Sequence, residues 1–123
     1  MKLTHENIYM YSLQLQEAFK DDNQRLPIKI NFYLQKNKKT LMDIAMEIQE
    51  ERINILRTYG TFDDEGGVTI PPDKITEASR EMSDLLALER DVNIYTIPFE
   101  NIPEDLSLTT AQMEALMFMI EAE

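Results

Sequence analysis

The longest run of helical periodicity in this 123-residue chain lies between Pro27 and Tyr59. Ile30, Leu34, Asn37, Leu41, Ile44, Ile48, Glu51 and Ile55 follow one another by steps of four and three, the spacing of a heptad seam, and only Asn37 and Glu51 are polar. Pro27 suits a helix start, where its missing N–H is not needed, and Gly60 is placed to supply a left-handed cap. At about 1.5 Å per residue the helix would be roughly 50 Å long, against a radius of gyration of about 14 Å for a compact domain of this size. It should therefore protrude, kink or find a partner.

Shorter patterns flank it. Ile8, Tyr11, Leu15 and Phe19 recur at helical spacing behind Thr4, a good N-cap, and predict a helix to about Lys20. Asp21 to Gln24 form a short polar link, so the first two helices should make a hairpin. Thr61 to Ile70 places β-favouring residues on both sides of an acidic, glycine-containing turn and predicts a β-hairpin, stopped by Pro71-Pro72. Asp73 can cap a third helix to about Arg90, with Ile75, Ala78, Met82, Leu85, Leu86 and Leu88 on its apolar face. Asp91 to Phe99 alternates like a strand that could extend the hairpin's sheet, with Pro98 and Pro103 favouring an edge. Thr109 and Gln112 have capping-box spacing ahead of a last helix, apolar nearly all round, that either inserts into the core or covers a partner. The predicted fold class is α+β, mainly α: a helical hairpin with one long central helix, two further helices and a small antiparallel β element, in a single domain 1–123.

Charge along the long helix adds a second pattern. Its first half carries Lys29, Lys36, Lys38 and Lys39 around Phe32, Tyr33 and Leu34, whereas Asp43, Glu47, Glu50 and Glu51 precede Arg52 and Arg57 in the second. That order opposes the helix macrodipole, which favours acids near the start. Two copies laid antiparallel would bring the lysines of one near the glutamates of the other, with Asn37 fixing the register. An intramolecular hairpin with solvated charges accounts for the same pattern, since surface ion pairs contribute only about 0 to 1 kcal/mol each. In the second half, Met42, Ala45, Met46, Ile53 and Leu56 widen the apolar surface, so that half should lie on the protein's own core.

The net charge of −11 is distributed unevenly: up to Gly60 nine basic residues face eight acidic ones, and beyond it three face fifteen. Generic nucleic-acid binding needs the opposite balance. An acidic surface can meet a basic protein or mimic nucleic acid in a binding groove, or merely keep the protein soluble. The chain has no cysteine, which excludes disulfides, thiolate zinc sites and cysteine nucleophiles. No signal-peptide pattern or membrane-length apolar run is visible, so a soluble protein is expected.

Catalytic patterns are scarce. His5 is the only histidine and sits at the predicted start of the first helix, where an exposed or cap-adjacent role is expected in preference to general-base work. Zinc sites lack ligands, and Gly60, Gly66 and Gly67 do not form a phosphate-cradling motif. Asp63, Asp64 and Glu65 resemble the start of a calcium loop, but counted from Asp63 the twelfth position is Lys74 where a bidentate glutamate belongs, so a turn is the better reading. No cofactor or metal is expected. The leading binding candidate is the cluster of Lys29, Phe32, Tyr33, Lys36, Lys38 and Lys39, because lysines beside aromatic rings can hold an anionic ligand or acidic partner; a plain solvated helix face is the alternative. The second is an acidic surface of Asp63, Asp64 and Glu65 with Glu100, Glu104 and Asp105, which could meet a basic protein.

The order of features, with Leu26-Pro27-Ile28-Lys29-Ile30 opening a long helix that carries Lys36-Asn37 and Glu51-Arg52 and ends at Tyr59-Gly60 before an acidic glycine turn, resembles small uncharacterised bacteriophage and prophage proteins. The resemblance continues through Val92-Asn93-Ile94 and the closing Leu108-Thr109 helix. It implies a cytoplasmic or virion-associated role in an infected bacterium and brings no catalytic residues with it. Three non-catalytic functions follow as expectations. The first is a homo-oligomeric interaction protein that binds a host or phage macromolecule, as an inhibitor or decoy of a host system such as an anti-defence factor. The others are a protein that sequesters an anionic nucleotide and an accessory factor in virion assembly.

Overall fold

The computed structural model describes residues 1–20 and 25–121; the predicted polar link from Asp21 to Gln24 lies outside them. In chain order the elements are β1 (Lys2–Thr4), α1 (His5–Ala18), α2 (Ile28–Tyr59), β2 (Thr61–Phe62), β3 (Val68–Thr69), α3 (Ile75–Ala87), β4 (Glu89–Asp91), β5 (Ile97–Pro98), α4 (Thr110–Leu116) and β6 (Ile120–Glu121). Single 3-10 turns at Pro72–Lys74, Phe99–Asn101 and Met117–Met119 join some of them. The chain is mainly helical with small sheets, the α+β, mainly α class that its periodicity predicts.

α2 is one uninterrupted helix of 32 residues, about 48 Å long. Its seam faces the protein's own interior: Ile30, Leu34, Asn37, Leu41 and Ile48 are buried, while Ile44 and Ile55 are half-buried. The rod is thus clad along one side by the rest of the chain, and the burial extends into the first half as well as the second. α1 lays Ile8, Ser12 and Leu15 against it, α3 adds Ala78 with half-buried Leu85 and Leu86, and α4 closes the core with Ala115 and Leu116.

Three small sheets tie distant segments together. β1 pairs antiparallel with β4, Leu3 opposite Arg90, and the Val92 N–H donates to the Met1 carbonyl at 2.8 Å. β2 and β3 form the predicted hairpin. β5 pairs in parallel with β6, Ile97 opposite Ile120. Of the expected continuous strand from Asp91 to Phe99, only Asp91, the last residue of β4, and Ile97–Pro98, which make β5, are strand; they lie in different sheets and neither extends the hairpin. Val92 and Ile97 are buried core residues, and the chain between β4 and β5 is shaped by that packing and by the Asn37 side chain rather than by a ladder.

Helix ends differ from expectation in instructive ways. Thr4 caps α1, accepting from the Asn7 N–H at 3.1 Å, and the Thr109–Gln112 capping box forms in full at the start of α4. Asp73 lies in the 3-10 turn ahead of α3 and makes no cap. α3 stops at Ala87, before Arg90, because Leu88 turns extended to feed β4. The last helix is shorter than its apolar run: after Leu116 it tightens to 3-10 geometry and turns into β6, burying Met119 and leaving Met113 and Met117 exposed. Gly60 ends α2 in extended conformation, φ −127° and ψ 177°, and not in the left-handed one. Its lack of a side chain is a matter of space, since a Cβ there would lie 3.0 Å from the carbonyl oxygens of both Leu56 and Thr69. His5 follows the cap as expected but is buried, with its backbone N–H on the Leu88 carbonyl at 2.9 Å.

Candidate binding face

Asn37 organises the surface beside it. A polar residue in a buried seam must find partners, and its amide satisfies both backbone groups of Tyr95: the side-chain N–H donates to the Tyr95 carbonyl and the side-chain oxygen accepts from the Tyr95 N–H, each at 2.8 Å. The register-fixing role expected of Asn37 between two copies is thus filled within one chain. The bond sets the Tyr95 ring on the flank of α2, where it stacks on Tyr33 at 5.1 Å and meets the edge of Phe32 at 6.3 Å.

Two lysines complete the cluster. Lys29 Nζ stands 5.8 Å from the Tyr33 ring centre and Lys36 Nζ 5.5 Å from that of Phe32, within cation–π reach. Lys29, Tyr33 and Lys36 meet because steps of four and three keep them on one helical flank. Ile28, one turn before Phe32, is 89% exposed, and Phe32 itself is 52% exposed. Four of the six predicted residues, Lys29, Phe32, Tyr33 and Lys36, are gathered here.

Lys38 and Lys39 do not join them. Two residues beyond Lys36, Lys38 is turned about 200° round the helix and lies half-buried on the opposite flank. Lys39 points outward and pairs with Asp43 at 3.1 Å. Tyr95 is the member that sequence reading missed; the signal available was Asn37 itself, a buried amide in need of a backbone partner.

The acidic residues stay dispersed. Asp63 builds its own turn, its Oδ1 accepting the N–H groups of Glu65 at 2.9 Å and Gly67 at 2.7 Å, while Gly66 supplies the positive φ of 85°. Asp64 and Glu65 are exposed at the tip of that hairpin. Glu100 lies in the 3-10 turn after β5, and Glu104 and Asp105 lie exposed in the turn that follows Pro103. Among the described residues no three His, Cys, Asp or Glu side chains are grouped to hold a metal ion, and no helix is long and apolar enough to cross a membrane. Comparison with protein-family models, curated proteins and solved structures gave no match.

Proposed function

We propose that this is a non-catalytic, phage-encoded interaction protein that grips a host or phage macromolecule through the α2 flank. The observation that carries the reading is the pair of lysines held over aromatic rings, Lys29 over half-buried Tyr33 and Lys36 over exposed Phe32, with Ile28 bare beside them. Such a face suits a surface offering carboxylates and apolar groups together. It is open, whereas small ligands are ordinarily enclosed, so a macromolecule fits it better. Inhibition or decoying of a host system, and assistance in virion assembly, both use this chemistry.

The test compares capture from bacterial lysate by the intact protein and by its K29E/K36E and F32A variants. Partners retained by the parent and lost by both variants are expected. Identical retention by all three counts against the reading, as does the absence of any retained partner from a protein that also fails to pair with a second copy of itself. A nucleotide is the second reading, because a base can stack on Phe32 while the lysines meet its phosphates. A ligand at 100 times its dissociation constant stabilises by about 2.7 kcal/mol. A thermal shift with nucleotide in the parent, absent in K29E/K36E, would support that reading, and no shift in the parent would remove it.

A further inference from the structure

Once the inner seam of α2 is spent on the core, a second seam remains on its outer side. Ile28, Phe32, Gln35, Lys39, Met42, Met46, Gln49, Ile53 and Leu56 again follow by alternating steps of four and three. Ile28, Phe32 and Met46 on this line are 89, 52 and 64% exposed, and Met42, Ile53 and Leu56 are half-buried. Beside Met42 and Met46 runs a shallow groove of about 250 Å³ whose other wall is α1, where Leu13 is also exposed.

The edge of this seam carries Lys29, Lys36, Asp43 and Glu50, each seven residues after the last and all exposed. Among the described residues Lys29, Lys36 and Glu50 make no ion pair, and Asp43 meets only Lys39 of its own helix. The two-fold axis relating antiparallel copies sets such an edge against itself in reverse order. Two bases followed by two acids complement themselves only in that arrangement.

We infer that a second copy of this chain docks antiparallel on the outer face of α2, with Lys36 opposite the second copy's Asp43 and Lys29 opposite its Glu50. Lys39 then falls at the two-fold axis, tied to Asp43 at 3.1 Å, a polar seam residue that sets register at some cost in affinity. Phe32 packs near the second copy's Met46. The inference rests on the reading of this flank as a binding face and names its partner.

Sedimentation equilibrium of the full chain across micromolar to submillimolar concentrations tests it, with circular dichroism as the folding control. The parent should reach twice the 14.4 kDa chain mass. K29E/K36E and D43K/E50K should each weaken the dimer about tenfold or more, through lost pairs and new like-charge contacts. The four-fold variant K29E/K36E/D43K/E50K should restore it. A monomeric parent, a dimer indifferent to either charge reversal, or a four-fold variant that stays as weak as its parents would each overturn the inference. A monomeric parent whose lysate partners still depend on Lys29 and Lys36 would leave the broader reading standing.

Discussion

At Asn37 a single amide decides how two distant parts of the chain meet, because it satisfies the N–H and the carbonyl of Tyr95 at once. Asn37→Ala removes both bonds and leaves those backbone groups short of partners, so a loss of about 1 to 3 kcal/mol is expected from urea unfolding. The same change should loosen Tyr95 from its stack on Tyr33, visible as altered near-ultraviolet circular dichroism. Tyr59 gives a second residue-level expectation. Desolvation, a hydrogen bond to Glu81 and the nearby carboxylates of Glu81 and Glu77 raise its pKa above the ordinary 10.0. The folded state therefore holds that proton more tightly than the unfolded state does. Its contribution to stability is present in full below pH 10.0 and is lost as pH climbs through the raised value. Glu81→Gln should move the Tyr59 titration back toward 10.0 while desolvation keeps it above, as read from phenolate absorbance against a Tyr59→Phe control.

α2 and α3 both end where something non-local intervenes. Gly60 joins α2 to the hairpin where a methyl group would sit tight, 3.0 Å from the Leu56 and Thr69 carbonyl oxygens. Gly60→Ala should cost about 1 to 3 kcal/mol by thermal or urea unfolding, through overpacking and not through dihedral strain. An extended glycine and a left-handed one look alike in sequence, so Gly60 marks where the helix ends but not the conformation in which it does. The inner seam of α2 was legible because periodicity reports which face is buried. It does not report what buries that face, so Asn37 read equally well as a register key between copies and as an internal anchor. The strands were harder still. β1, β4, β5 and β6 are two or three residues each, too short for alternation to mark them, and their pairing joins segments far apart in sequence. For the binding face, steps of four and three placed Lys29, Tyr33 and Lys36 together, whereas Tyr95 arrives through the fold alone.

Across the whole molecule, charge is segregated: the net −11 resides almost entirely beyond Gly60. Self-repulsion of that half should weaken the fold at low ionic strength, so the urea midpoint is expected to rise as salt is added up to about 0.15 M, where the Debye length falls to about 8 Å. A midpoint that falls over this range would mean that the four ion pairs found among the described residues outweigh the repulsion. The long ties described above also govern how the protein comes into being. Met1 with Val92 and Asn37 with Tyr95 each join an early residue to a late one, and a third bond of the same kind runs from the Gln112 side-chain N–H to the Ala18 carbonyl at 3.0 Å. A nascent chain therefore has all of α2 made before residue 95 exists, with the part of its inner side that α1 does not cover still bare. Residues 92 to 119 must be made before that side is sheltered, and until then the growing polypeptide is a natural client for chaperones that shield apolar segments.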